Sequence, residues 1–226
     1  MLFIVSTPIG NLKDITFRAI ETLQSVDLIA AEDTRHTKKL LDHYNIKKPL
    51  TSYFEHNKIK KADQLIKELQ SGKNIALVTD AGTPGISDPG FRLIKMVQEH
   101  GLPMTVIPGP TALIAALNLS GLPAHHFIFE GFLPVKSAAR RKRLETLKGE
   151  ERTLIFYEAP HRILKVLQDI QDILPEAKIV VTREITKKFE ETIQGRPQSL
   201  LEHFSSYPPK GEFVMLISNF AHIEGK

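Results

Sequence analysis

Short apolar runs alternate with stretches whose apolar positions recur every three or four residues, the pattern of strands alternating with amphipathic helices. In the first half, residues 2–5, 28–30, 50–53, 75–78 and 104–107 read as strands. Their continuous apolar character predicts burial on both faces, as in a parallel or mixed sheet. Between them, Asp14 can cap a helix with Phe17, Ile20 and Leu23 on its inner face. A second helix follows Asn57 and carries Leu65, Ile66 and Leu69. Asp88 or Pro89 opens a third with Phe91, Ile94 and Val97, and Thr111 can cap a fourth that runs to Leu119.

Residues 118–123 read as a helix end and a link. Beyond it, strands are predicted at 127–130, 153–157, 179–182, 191–194 and 212–217, with helices near 137–148 and 161–173. The run from Phe189 through Gly195 to Pro197 predicts a strand and a turn, so the second sheet is expected to be partly antiparallel. The fold class is α/β, organised as two α/β domains, 1–119 and 120–226.

Composition narrows the chemistry. With 226 residues, 42% hydrophobic and 25% charged, the chain can build one large or two small cores. No apolar run approaches a membrane span, and the first residues lack the basic flank of a signal peptide. A cytoplasmic protein with no membrane partner is expected. The absence of cysteine excludes disulfides and thiolate catalysis. The histidines are scattered, so no metal site is expected. His125 and His126, if on a strand, point to opposite faces as structural residues. The net charge of +4 permits a polyanionic partner. Lys136, Arg140, Arg141, Lys142 and Arg143 lie within eight residues, reading either as a solvated helix face or as a phosphate-contacting surface.

Three glycine- and proline-rich loops each follow an apolar strand. They are residues 6–11 (Ser-Thr-Pro-Ile-Gly-Asn), 79–90 (Thr-Asp-Ala-Gly-Thr-Pro-Gly-Ile-Ser-Asp-Pro-Gly) and 108–112 (Pro-Gly-Pro-Thr-Ala). Open α/β sheets bind ligands beyond the carboxyl ends of their strands, and three such loops point to a shared ligand crevice. Neither a nucleoside-triphosphate P-loop nor the dinucleotide fingerprint is present. Asp80 and Asp88 place carboxylates where phosphate would be repelled, so an amine, a ribose hydroxyl or a cation suits the loops better. Glu55-His56-Asn57 reads equally as a polar site trio or as a helix start. In the second half, residues 157–162 and 182–191 are dense polar segments at strand ends, facing the cleft expected between the domains.

These segments carry a resemblance. Residues 7–12, 32–35, 80–90, 108–112, 131–134, 157–162, 183–187 and 210–212 resemble, in order along nearly the whole chain, the tetrapyrrole methylase superfamily, in its branch acting on small-subunit ribosomal RNA. The resemblance implies two α/β domains unlike the Rossmann-type methyltransferase, with the cofactor between them. It implies S-adenosylmethionine as cofactor, a homodimer, and 2′-O-methylation of a cytidine in the decoding region of small-subunit (16S) ribosomal RNA, presented as free RNA or as a ribosomal particle. By the same likeness, Pro8, Asp80, Gly82, Thr83, Ile86, Thr111, Ala112, Tyr157 and Gly211 line the cofactor site. Arg35, His56, Asn57, Arg140, Arg141, Arg143 and Arg162 are the substrate candidates, with Lys187 as a further RNA contact. From position alone, Lys187 and Glu184 are candidates for a catalytic base, or else form a structural salt bridge. Tyr53, Phe54 or Tyr157 could stack on the target base. The rival readings are a methyltransferase for a tetrapyrrole or a diphthamide precursor, and a non-catalytic RNA-binding assembly factor. The family usually runs further at its carboxyl end than Lys226.

Overall fold

The computed structural model describes residues 1–54 and 58–219. The chain divides into two units, Met1–Thr111 and Ala112–Lys226.

The first unit holds strands β1 (Leu2–Val5), β2 (Leu28–Ala31), β3 (Leu50–Ser52), β4 (Ile75–Val78) and β5 (Met104–Ile107). Its helices are α1 (Phe17–Ser25), α2 (Thr34–His43), α3 (Lys58–Gln70) and α4 (Gly90–Glu99). All five strands are parallel, in the order β3-β2-β4-β1-β5. The expectation of burial on both faces holds at β4. Ile75 and Leu77 pack with Leu65, Leu69, Leu93 and Val97 of α3 and α4, while Ala76 and Val78 pack with Ala19, Leu23 and Leu41 of α1 and α2. The sheet is therefore wound on both sides. Truncating a residue such as Leu77 to alanine would cost about 2–5 kcal/mol.

Local chemistry departs from the sequence reading at the helix starts. Thr16, not Asp14, caps α1, its side chain accepting from the Ala19 N–H at 3.1 Å. Asp14 instead ends a short 3-10 turn, Leu12–Asp14. Phe17 and Phe91 are 87% and 63% exposed, because each lies in the first turn of its helix and points away from the sheet. The inner faces are carried by Leu23 and Val97.

The second unit holds helices α5 (Ala112–Ser120), α6 (Ser137–Leu147), α7 (Ile163–Ile173) and α8 (Pro197–Ser206). Its strands are β6 (Phe127–Phe132), β7 (Thr153–Glu158), β8 (Lys178–Arg183), β9 (Glu191–Gly195) and β10 (Phe213–Ser218). The order is β6-β7-β10-β8-β9, with β6 and β7 parallel and the other pairs antiparallel, so the sheet is mixed as expected. Leu154, Phe156, Ile179, Val181, Phe213, Met215 and Ile217 face α6, α7 and α8 in one core. Helix α5 packs against β10, β8 and β7, which groups it with this unit, ahead of the link expected near residue 120. His125 and His126 precede β6 in a bend and meet edge to face at 5.0 Å, so the strand geometry expected for them does not apply. Among the described residues no helix is long and apolar enough to cross a membrane.

Candidate active site

The strand order brings the three glycine- and proline-rich loops together. They follow β1, β4 and β5, which are neighbours in the parallel sheet, so all three leave the same carboxyl edge. After β1 the chain passes to α1 on one face, and after β4 it passes to α4 on the other. Two adjacent strands whose connections diverge to opposite faces open a crevice at their ends, the place where open α/β sheets take ligands.

Direct bonds tie the loops. Thr7 and Gly82 exchange backbone hydrogen bonds of 2.9 and 3.1 Å. Gly82 makes this approach with φ at +87°, the left-handed region that residues with a Cβ rarely adopt. The Thr7 hydroxyl donates to the Thr79 carbonyl at 3.1 Å, and the Thr79 hydroxyl donates to Glu32 Oε2 at 2.6 Å. The Ser6 and Thr83 hydroxyls lie 2.9 Å apart, and Thr83 donates to the Pro110 carbonyl at 3.2 Å. The hydroxyl protons of Thr7, Thr79 and Thr83 are thus committed within the protein.

Two carboxylates shape the long loop. Asp88 accepts from the Gly85 N–H at 2.8 Å and from the Gly90 N–H at 2.6 Å, folding residues 85–90 around itself. Burial raises its pKa, against the effect of those N–H donors. Asp80 accepts from the Asp33 N–H at 3.0 Å and remains partly exposed. Burial raises its pKa too, opposed by the Asp33 bond and reinforced by the Glu32 charge. The site therefore presents acceptors to a ligand. Sequence reasoning does not single out Glu32 as a site residue; only the adjacency of β2 and β4 places it beside Thr79 and Asp80.

Of the expected cofactor residues, Pro8, Asp80, Gly82, Thr83, Ile86 and Thr111 belong to this edge, and Ile86 is 40% exposed. Ala112, Tyr157 and Gly211 belong to the second unit. Tyr157 ends β7 and meets Phe129 and Phe132 edge to face at 4.9 and 5.8 Å. Gly211 lies against Glu184, where an added Cβ would overlap the carboxyl.

The Lys187–Glu184 pair is a salt bridge. Lys187 Nζ donates to Glu184 Oε1 at 2.9 Å and to Glu212 Oε2 at 2.8 Å. Burial alone would lower the Lys187 pKa, but its two carboxylate partners outweigh burial and raise it. Burial likewise works to raise the Glu184 pKa and is outweighed by the Lys187 and Glu212 hydrogen bonds, which lower it. The salt bridge therefore favours the cationic form of Lys187, which opposes a role as base in this arrangement. Glu184 and Thr186 both take positive φ, +50° and +69°, so the clamp is built on strained backbone.

The basic cluster divides on inspection. Arg140 is 4% exposed, donating from Nε to Asp169 at 2.6 Å and from Nη1 to the Val135 carbonyl at 3.1 Å; it is a buried brace, not a surface phosphate contact. Arg162 is also turned inward, bonded to the Leu133 carbonyl at 2.6 Å and paired with Glu158 at 3.1 Å. Burial raises the Glu158 pKa, partly offset by the Ala159 N–H and by Arg162. Arg141 bridges Asp169 and Asp172, and Arg143 binds Glu130 through two nitrogens, yet both keep about two fifths of their side chains exposed. Lys136 and Lys142 are exposed, and Arg35 is 89% exposed while paired with Asp33. Tyr53 is 1% exposed in the core of the first unit, which removes it as a stacking platform; Phe54 is 38% exposed. His56 and Asn57 lie outside the described residues. Among the described residues no group of three or more histidine, aspartate or glutamate side chains could hold a metal ion.

The family model of the Tetrapyrrole (Corrin/Porphyrin) Methylases matches residues 1–201. Ribosomal RNA small subunit methyltransferase I of Synechocystis sp. is 52% identical over 219 residues, 96% of this chain and 78% of that protein. The protein of the same name from Thermotoga maritima is 46% identical over 217 residues, 96% of this chain and 97% of that protein. The crystal structure of diphthine synthase matches with a TM-score of 0.76 at 15% identity, over 96% of this chain and 88% of that one, a likeness of fold. A doubly wound first unit with its loops gathered at one edge, a mixed-sheet second unit and half-identical relatives along almost the whole chain agree: this chain belongs to the tetrapyrrole methylase family, in the branch of ribosomal RNA small subunit methyltransferase I.

Proposed function

We propose that this chain is an S-adenosylmethionine-dependent methyltransferase of small-subunit ribosomal RNA, forming a 2′-O-methylated cytidine in the decoding region. The observation that carries the reading is the gathering of the loops after β1, β4 and β5 at one sheet edge, where threonine hydroxyls donate within the protein and the Asp80 carboxylate remains partly exposed. Such a surface suits a ligand rich in donors and positive charge, with an amine, ribose hydroxyls and a sulfonium, and suits phosphates poorly. The names of the relatives supply the RNA substrate. The ribose position and the cytidine rest on the likeness of motifs, as do a homodimer and a cytoplasmic setting.

When bound, S-adenosylmethionine supplies a methyl group on a sulfonium, already a good leaving group. Pro8, Asp80, Gly82, Thr83, Ile86 and Thr111 would hold it, and the likeness of motifs adds Ala112, Tyr157 and Gly211 as candidates. Asp80 is the acceptor for an amine or a ribose hydroxyl. A ribose hydroxyl is barely acidic at neutral pH, so the protein's main task is to place it in line with the methyl and to exclude water. Lys187, kept protonated, serves as a cation toward RNA phosphate, and Glu184 keeps it in place. The exposed Lys136, Lys142 and Arg35 contact phosphate, with Arg141 and Arg143 at the margin, while Arg140 and Arg162 brace the helix from beneath.

The test is mass spectrometry of small-subunit RNA, or of the small ribosomal subunit, incubated with the protein and methyl-labelled cofactor. Labelled 2′-O-methylcytidine is expected. Label on a base, or on an added tetrapyrrole in place of RNA, would overturn the substrate assignment.

A further inference from the structure

We infer that Ser6 is a positioning residue for the cofactor: its hydroxyl donates to Thr83 and thereby locks the loops after β1, β4 and β5 into one arrangement. The inference rests on the reading that these loops hold S-adenosylmethionine.

Counting protons gives the bond its direction. A threonine hydroxyl has one proton and two lone pairs. Thr83 gives its proton to the Pro110 carbonyl, which can only accept, at 3.2 Å. The 2.9 Å contact between Ser6 Oγ and Thr83 Oγ1 is then made by the Ser6 proton. The result is one directed chain, Ser6 to Thr83 to Pro110, that crosses three loops and polarises along its length.

Surroundings leave Ser6 little alternative. It is 1% exposed, so water does not compete for its hydroxyl. Its N–H donates to the Ile107 carbonyl at 3.2 Å, fixing its backbone at the end of β5. The loop after β5 presses on it from the other side, since a Cβ added at Gly109 would lie 2.8 Å from Ser6 Cβ. The adjacent Thr7–Gly82 backbone pair holds the loops after β1 and β4 in register. With its proton committed and one lone pair filled, Thr83 keeps only an acceptor for a ligand. The group that meets it must therefore be a donor, an amine or a hydroxyl. No phosphate oxygen satisfies that requirement.

The experiment is calorimetric titration of S-adenosylmethionine into the full chain and into Ser6→Ala, Ser6→Cys, Thr83→Val, Thr83→Ser and the Ser6→Ala/Thr83→Val double variant, with Tm measured alongside. Ser6→Ala is expected to weaken binding about fivefold, the scale of one net hydrogen bond. Ser6→Cys, a weaker donor of similar size, should fall between it and the natural protein. Thr83→Val should lose at least as much, and Thr83→Ser should restore binding to within about twofold by keeping the hydroxyl. Because Ser6 acts through Thr83, the double variant should bind no worse than Thr83→Val alone. A purely structural role would move Tm without this coupling in affinity. Ser6→Ala and Ser6→Cys that bind like the natural protein, or losses that multiply in the double variant, would overturn the inference and leave the cofactor reading standing. A natural chain that does not bind S-adenosylmethionine at all would overturn both.

Discussion

At Asp80, the carboxylate proposed to meet the ligand is also part of the fold, and the two demands oppose each other. Burial sets its folded pKa above the ordinary value of 3.8. For an acid with a raised folded pKa, the contribution to stability is fully present below the unfolded pKa and is lost as pH rises through the folded one. At neutral pH the charge therefore works against the fold, while a cationic ligand needs it. Asp80→Asn keeps an oxygen for the Asp33 N–H, so denaturant melts at pH 7 should show stability unchanged or slightly raised. Its affinity for S-adenosylmethionine should fall about 10- to 100-fold, the scale of a charge-assisted hydrogen bond. In the natural protein, affinity should decline on acidification as Asp80 takes up its proton, and Asp80→Asn should lack that decline. Asp80 is legible in the sequence as a candidate, because a carboxylate in a glycine-rich loop after a strand repels phosphate. Its neighbours were not: Glu32 lies 47 residues from Thr79, and only strand order joins them.

On the scale of elements, α6 shows what composition conceals. Five basic residues in eight read as one surface, yet Asp169 and Asp172 on α7 and Glu130 on β6 claim three of them. Partners this distant in sequence cannot be assigned from a charge run. Arg140→Ala should cost about 3 kcal/mol in chemical denaturation, since it strips a main partner from the buried Asp169. Lys136→Ala and Lys142→Ala should leave the melt in place. Each should instead reduce the slope of log affinity for small-subunit RNA against log salt by about one. The strands were legible for the opposite reason, since burial on both faces leaves an unbroken apolar run such as residues 75–78. Helix α2 is hidden because its buried i, i+3, i+4 face is Thr37, Leu40 and Leu41, and the polar threonine leaves only two apolar positions to see. Helix α8 carried a usable signal in Pro197 at its first turn, with Leu200 and Phe204 following on its inner face.

For the whole molecule, both units pair strands that lie far apart in sequence. In the second unit β7 and β8 both pair with the last strand, β10. In the first unit β1 lies between β4 and β5, with Leu2 beside Ile75 and Met104. Both arrangements are dominated by contacts between distant residues, which slows folding relative to local topologies. During synthesis β1 thus has neither of its sheet neighbours until residue 75 has emerged and is not flanked on both sides until residue 107. At about 5–20 residues per second, β1 waits on the order of ten seconds as an unpaired, aggregation-prone edge. Arrested nascent chains should show protease protection of the first unit only once β5 has cleared the exit tunnel. A chaperone that shields Leu2–Val5 during that wait should raise the yield of folded protein more than one acting after synthesis is complete.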